Sequence, residues 1–257
     1  MDEKAPLITF FIPCLNEEGN VGRTMDMVVN VMKERAESYE IVVIDDASVD
    51  GSVEEVRRHE AKHPGLQIQL VVNRFTRGLG RNYFIAAQRA RGEYYMIVNG
   101  DASETEELMG AILSQRGKAD AIIPYFGAKE MRTFGRRVIS RSFVFCVSLL
   151  SGHRLKYYNG PVLHKTDNVR SWFSETAGFG YQAELLCRLL DEGITYIEVE
   201  VTNSDRTFGV TKAFKLNNIL AVINSLGHIF LRRIQQGMIR RNAERTSELY
   251  RQKKGGE

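Results

Sequence analysis

The sequence predicts an α/β protein built on a mostly parallel sheet with helices on both faces. Two observations predict it. Short apolar runs of the buried-strand type recur along roughly the first 125 residues, and stretches with helical periodicity separate them. The runs are nearly continuous in apolar character, as strands covered on both faces require.

The elements follow in order. LITFFIP (Leu7–Pro13) is the first strand, and a polar helix start follows at Asn16-Glu17-Glu18. EIVVIDD (Glu40–Asp46) is the second strand, ending in acids, and Ser48 to His59 reads as a helix with Ser/Asp start signals. Ile68–Asn73 is the third strand, and the glycine-containing RFTRGLGRN leads into a helix near Tyr83–Arg91. Glu93–Asp101 is the fourth, Glu104 to Ser114 a helix, and Ala119–Tyr125 the fifth strand. The second half is less regular. Arg136 to Leu150 and Tyr181 to Asp191 read as helices, YYNGPVLHK as a turn with a short strand, and Ile194–Val201 as a strand. A long amphipathic helix runs from Ala213 to about Gln236. The expected organisation is one domain over 1–212, with a first half of about 1–125 and a second of about 126–212, then an amphipathic helix and basic tail over 213–257.

Composition narrows the class. The chain has 257 residues, 43% apolar and 26% charged, which suits a soluble globular protein with a sizeable core. A net charge of +3 gives no case for nucleic-acid binding. Cys14, Cys146 and Cys187 are odd in number and form no C-x-x-C pair, so a disulfide framework or zinc site is not expected and a reducing cytoplasm fits. The opening MDEKAPLITFFIP has no basic start and no long apolar stretch, so no signal peptide is expected. No run reaches the about 18 apolar residues of a membrane-spanning helix.

The chemistry is expected beyond the carboxyl ends of the strands, where open α/β sheets bind ligands. The residues there are Cys14-Leu15-Asn16-Glu17, Asp45-Asp46-Ala47-Ser48, Asn73-Arg74 and Asn99-Gly100-Asp101. Three of these four ends carry carboxylates. Acids converging on one rim repel each other, and an oxygen-liganded divalent ion, Mg²⁺ or Mn²⁺, relieves that repulsion. Such an ion typically completes its shell with substrate phosphates, so the rim suggests a nucleotide-diphosphate site. The competing reading is that these acids cap helices or close turns.

The pieces FIPCLNEEGNV (Phe11–Val21), EIVVIDDASVDGS (Glu40–Ser52), NRFTRGLGRN and YYMIVNGDAS (Tyr94–Ser103) carry a resemblance. The chain resembles family-2 glycosyltransferases of the GT-A fold, a Rossmann-like sheet, and in particular the dolichyl/polyprenyl-phosphate sugar synthase branch. The second half resembles it more loosely, through Gly178–Val201 and Arg206–Lys212. The resemblance implies that Pro13, Leu15 and Glu17 line a nucleoside pocket. It implies that Asp45 contacts the base or ribose with Asp46 supporting it. The family's D-x-D reads Asn99-Gly100-Asp101 here, so Asp101 is the expected metal ligand, with Asn99 a neutral oxygen donor and Ser103 a polar helper.

The implied reaction is transfer of a sugar, with inversion, from a UDP-, GDP- or dTDP-sugar. The stretch Lys156-Tyr157-Tyr158-Asn159-Gly160-Pro161 holds no acid where many family members carry one. That favours a phosphate acceptor, already anionic, or moves a general base to Glu184. Arg206 and Lys212, in R-x-x-G-x-x-K, are expected to contact phosphate, and Arg132, Arg136, Arg137 and Ser140 to add an acceptor-side basic patch. Cys14 is expected to be a packed thiol.

The final helix carries an apolar stripe of Phe214, Leu216, Ile219, Leu220, Ile223, Leu226, Ile229, Phe230, Ile234 and Met238, followed by Arg232, Arg233, Arg240 and Arg241. Such a helix lies on an anionic membrane surface or packs on the core. The expected setting is therefore peripheral, at the cytoplasmic face of a membrane, alone, as a homo-oligomer or beside a membrane-anchored partner. The rival readings are transfer to a glycan or glycolipid hydroxyl, a catalytically silent nucleotide-sugar-binding subunit, and a nucleotidyltransferase. The last lacks its expected glycine-rich basic N-terminal loop.

Overall fold

The structure, a computed structural model, describes residues 5–127, 134–172, 176, 178, 180–202 and 216–254. Among these the elements are β1 (Ile8–Cys14), α1 (Val21–Arg35), β2 (Tyr39–Asp45), α2 (Ser52–Lys62), β3 (Gln67–Val72), α3 (Leu79–Arg89), β4 (Tyr94–Ile97) and α4 (Glu106–Leu113). The second half adds β5 (Ala121–Phe126), α5 (Phe134–Ser151), β6 (Leu163–Lys165), α6 (Thr166–Arg170), α7 (Tyr181–Asp191), β7 (Tyr196–Val201) and α8 (Leu216–Lys254).

The strands form a seven-stranded sheet in the order β3-β2-β1-β4-β6-β5-β7. β3, β2, β1 and β4 are parallel, as are β5 and β7, while β6 runs antiparallel to both its neighbours. The apolar runs explain the layering. Ile8, Phe10, Ile12 and Cys14 of β1 join a core with Val21, Met25, Val28 and Met32 of α1 and Leu108, Met109 and Ile112 of α4. Phe11 faces the other way, with Val42, Ile44, Tyr95 and Ile97, against Tyr83 and Phe84 of α3 and Tyr181 of α7. A third cluster joins Ala121 and Ile123 of β5 to Val147 of α5, Leu186 of α7 and Ile229 of α8.

The strands lie close to where the sequence puts them, but several helices start elsewhere. After β1, Asn16-Glu17-Glu18 is a loop and α1 begins at Val21, because Asn16 takes a positive φ of 53° and the N–H groups of residues 16–19 bond side chains of the β2–α2 loop and α2. Ser48 likewise belongs to the β2–α2 loop, its N–H turned back to Asp45. α3 starts at Leu79, straight after Gly78 with φ 90°, rather than near Tyr83. β4 stops at Ile97, short of Asp101. Thr105 caps α4, its hydroxyl accepting the Leu108 N–H at 3.2 Å, which leaves Glu104 outside the helix. α8 runs to Lys254, well past Gln236. Among the described side chains of the predicted stripe, Ile229 is buried and Leu226 packs against the core, while Leu220, Ile223, Phe230, Ile234 and Met238 are exposed; the side chains of Leu216 and Ile219 lie outside the described residues. Phe214, at 213–215, lies outside the described residues. No described helix is long and apolar enough to cross a membrane.

The two ends of β2 treat acids differently. At the amino end Glu40 is fully buried and accepts from the Thr9 hydroxyl (2.7 Å), the Arg91 N–H (2.6 Å), the Arg91 guanidinium (2.9 Å) and Gln69 (3.3 Å). That network ties β1, β2, β3 and the α3–β4 turn together. Replacing Glu40 by Ala strands these buried donors, at about 1–3 kcal/mol for each that stays unsatisfied. We expect Glu40→Ala to lower unfolding free energy by about 3 kcal/mol, read from urea midpoints at unchanged slope.

Candidate active site at the carboxyl edge of the sheet

Asp45 and Asp101 come to the same edge. β2 and β4 flank β1 on either side, in parallel register, with Cys14 opposite Asp45 and Phe11 opposite Ile97. Continuing that register puts Asn99 beside Pro13. Neighbouring strands lie about 4.8 Å apart, so the two acidic ends stand roughly 10 Å from one another with the end of β1 between them. Gly100 closes the gap. A Cβ there would drive into the Pro13 carbonyl oxygen and lie 3.7 Å from Cγ of Glu17.

The loops at this edge are laced to each other. Glu17 N–H donates to Ser52 Oγ (2.9 Å), Glu18 N–H to Asp50 (3.1 Å), and Gly51 N–H back to Glu18 (3.0 Å). Glu55 accepts from the N–H groups of Gly19 and Gly22. Of the four described non-glycine residues with positive φ, Asn16, Ala47 and Ala102 sit one in each of the loops after β1, β2 and β4. Strained backbone concentrated this way is typical of a functional edge.

Asp46 is buried and holds the loop before α3. It accepts from Asn73 Nδ2 (2.9 Å), Arg77 N–H (2.8 Å) and Gly78 N–H (2.9 Å). Burial pushes its pKa up, but bonds from Arg77, Asn82, Asn73 and Gly78 outweigh that and leave it below the ordinary value. Asp45 is different. Its Oδ2 accepts the Ser48 N–H at 3.1 Å, while its Oδ1 is buried with no hydrogen-bond partner. Cys14 is a buried thiol pushed up to about 11 by desolvation, which agrees with a packing role.

The loop after β4 is anchored by Thr24 of α1. The Thr24 hydroxyl donates to the Asn99 carbonyl and accepts the Ala102 N–H, both at 3.1 Å. Within the loop, Asn99 turns to Glu104. Its Nδ2 donates to Glu104 Oε1 in a short bond, and its N–H donates to Oε2 at 3.2 Å. Ser103 Oγ also reaches Oε2, at 3.4 Å. Glu104 belongs to none of the sequence motifs. Desolvation, then repulsion from Asp101, raises its pKa to about 7, against the pull of the Asn99 bonds. The acid absent at position 99 is thus matched by one five residues on, beside Asp101. The usable signal was Thr105 followed by Glu106-Glu107, a cap and acidic first turn that put Glu104 before the helix.

In the second half of the chain, Glu184 is buried in α7. It accepts from Thr176 Oγ1 (2.8 Å) and lies 3.5 Å from His228 Nδ1 of α8. No described hydrogen bond joins it to the strand-end acids. Lys156 Nζ stands over the Tyr125 ring at 3.9 Å. Arg137 and Ser140 line a cleft of about 740 Å³ with Arg141, Arg154, Lys156 and Arg233, along apolar Phe126, Val144, Phe145, Leu149 and Tyr157. Phe126 ends β5 at the same sheet edge, because β5 runs parallel to β4 across the reversed β6. Arg132, Arg206, Lys212 and the Arg136 side chain lie outside the described residues. Arg232 and Arg233 are used by the fold: Arg232 pairs with Asp191 at 2.8 Å, and Arg233 donates to the carbonyls of Leu149 (2.6 Å) and Leu150 (3.4 Å).

The model of the family described as glycosyl transferase family 2 matches residues 9–172, more than half of the chain. The chain belongs to that family. A dolichyl-phosphate beta-glucosyltransferase of Trichomonas vaginalis is 31% identical over 164 residues, covering 58% of this chain and 48% of the relative. A dolichyl-phosphate beta-glucosyltransferase of Dictyostelium discoideum is 27% identical over 101 residues, covering 37% of this chain and 31% of its own. The chain thus spans about half or less of these relatives. Among solved structures, a mannosyltransferase of Pyrobaculum calidifontis in complex with GDP-Man and Mn²⁺ superposes with a TM-score of 0.64 at 19% identity, over 90% of this chain and 65% of that one. Glucosyl-3-phosphoglycerate synthase of Mycobacterium tuberculosis, in complex with Mn²⁺, UDP and phosphoglyceric acid, gives 0.63 at 13% identity, over 86% and 79%. The fold is therefore the GT-A architecture the family resemblance implied.

Glu104 makes a testable demand on pH. Its folded pKa of about 7 stands above the ordinary value of 4.5, so the folded chain binds the extra proton. Its effect on stability is therefore neutral below pH 4.5 and turns unfavourable as pH rises from 4.5 to about 7. In metal-free protein, Glu104→Gln should remove that part of the decline and raise the melting temperature at pH 8 relative to wild type.

Proposed function

We propose that this protein transfers a sugar from a nucleotide-sugar donor to a polyprenyl phosphate, with inversion at the anomeric carbon. One observation carries the reading: two acidic strand ends flank β1 at one sheet edge, and Asp45 presents a buried Oδ1 with no partner there. A buried acceptor without a donor calls for one, and a nucleobase N–H or ribose hydroxyl fits. Pro13, Leu15 and Glu17 would line the nucleoside site from β1 and the loop after it. Asp46 sets the third loop through its backbone bonds.

The residues at the end of β4 suit a divalent ion, Mg²⁺ or Mn²⁺. Asp101 and Glu104 are carboxylates close enough to repel, and an oxygen-only donor set of this kind matches those ions. Asp101, Glu104 and Asn99 would hold it, with Gly100 letting the loop approach Pro13 and Ser103 supporting Glu104. When bound, the ion neutralises charge on the departing nucleoside diphosphate. The two solved neighbours with Mn²⁺ support this assignment by fold.

A phosphate oxygen of the acceptor forms the new bond to the anomeric carbon as the bond to the diphosphate oxygen breaks. The electron pair leaves with the diphosphate, and no proton has to move. That suits a chain with no acid in Lys156–Pro161 and with Glu184 engaged by Thr176 and His228. The basic cleft beside β5 offers Arg137, Arg141 and Lys156 for the acceptor phosphate and apolar walls for its chain. Arg206 and Lys212 would complete the phosphate contacts. The printed names of the matched relatives support dolichyl-type acceptors. Exposed Phe145 and Leu149 of α5 and Phe230, Ile234 and Met238 of α8 give a surface for peripheral contact at the cytoplasmic face of a membrane.

Asp101→Ala should cut transfer of labelled sugar into solvent-extractable lipid by about 100-fold or more while the melting temperature stays within a few degrees. Wild-type rates in that variant would sink the metal role. Arg137→Ala combined with Arg141→Ala should raise the KM for polyprenyl phosphate about tenfold and leave the donor KM unchanged. A thermal-shift screen of UDP-, GDP- and dTDP-sugars names the donor, since the one bound raises the melting temperature by mass action.

A further inference from the structure

We propose that Asp26, His59 and His63 form a separate binding site for a borderline transition-metal ion such as Zn²⁺, bridging α1 and α2. His59 lies in the last turn of α2 and His63 just past its end, and their ring centroids are 4.6 Å apart. Asp26 reaches across from α1, its Oδ1 3.6 Å from His59 Nδ1. One ligand atom from each of the three lies within 4.8 Å of the others.

The spacing suits a metal better than it suits the existing contacts. A tetrahedral ion with bonds of about 2.0–2.2 Å sets its ligands about 3.4 Å apart. The Asp26–His59 pair is already near that separation, and at 3.6 Å it is too long for a good hydrogen bond. Asp26 is 64% exposed and free to swing about 1 Å inward. His59 is only 4% exposed, and its Nε2 is buried with no hydrogen-bond partner. The nitrogen nearest Asp26 is Nδ1, so Nδ1 would be the ligating atom and the buried Nε2 would carry the ring proton.

Two imidazole nitrogens and one carboxylate favour Zn²⁺, Co²⁺ or Ni²⁺ over Mg²⁺ or Mn²⁺. The site is thus chemically unlike the all-oxygen set at the end of β4. It also lies elsewhere: α2 starts at the carboxyl edge and runs back, so His59 and His63 stand at its far end. An ion here would pin α1 to α2. Those helices already meet through Glu55, which binds the N–H groups of Gly19 and Gly22. Occupancy would stiffen the pair of loops that frames the nucleotide side.

The test uses untagged full-length protein in millimolar Mg²⁺, which occupies the oxygen-only set, with Zn²⁺ as titrant in calorimetry and thermal shift. One Zn²⁺ per chain should bind and raise the melting temperature, and the ring resonances of His59 and His63 should move in histidine-selective NMR. His63→Gln and Asp26→Asn, both reached by solvent, should each weaken Zn²⁺ about tenfold or more, whereas Asp101→Ala should leave it unchanged. The proposal is overturned if no saturable Zn²⁺ binding occurs, or if both substitutions leave the affinity as it was. A folded His63→Gln variant is confirmed by its zinc-free melting temperature, and Asp26→Asn gives the same answer independently.

Discussion

Negative charge gathered at the carboxyl edge of the sheet is the constraint to which the surrounding structure answers. Asp45, Asp46, Asp101 and Glu104 all stand there, on or beside strands that cannot move apart. Each acid is handled in its own way. Asp46 is neutralised by backbone and amide donors from the α3 loop. Glu104 is bonded to Asn99, yet its pKa still climbs to about 7 beside Asp101. Asp45 keeps one buried oxygen without a donor. The contrast with Glu40, at the opposite end of the same strand and met by four hydrogen bonds, separates an acid whose donors the fold supplies from Asp45, one of whose oxygens has none.

The loops pay attention to the same edge. Side chains of Asp50, Ser52 and Glu55 bond backbone N–H groups of residues 17–22, while Thr24 clasps both sides of the loop after β4. In the same loops Asn16, Ala47 and Ala102 take left-handed backbone conformations that residues with a Cβ seldom adopt. Loops braced in this way leave little conformational entropy to be lost on binding a ligand.

Strand positions and the edge on which the chemistry falls were legible because apolar runs ending in Asp or Asn are local patterns. Asp45 and Asp101 could be paired before any coordinates, since parallel strands all deliver their ends to one side. Helix starts were less legible. Asn16–Gly19 and Ser48–Gly51 look like caps in isolation, and only their mutual bonds across more than thirty residues make them loops. Glu104 was missed for the same reason: its partner is Asn99, and a two-residue shift in the start of α4 decides whether its carboxylate turns inward. The stripe on α8 was visible as periodicity, but which part of it faces outward depends on α5 and α7. Arg232 and Arg233 read as a basic tail and instead brace α8 through Asp191 and the end of α5.

β6 is three residues long and runs against its neighbours. Because it is reversed, its own terminus leaves on the far side, and the turn through Asn159–Val162 enters where the other strands exit. The ends of β4 and β5 therefore stand two strand widths apart, about 10 Å, with no helix springing from between them. One short backward strand thus works as a spacer, setting how far the strand ends of the first half sit from those of the second.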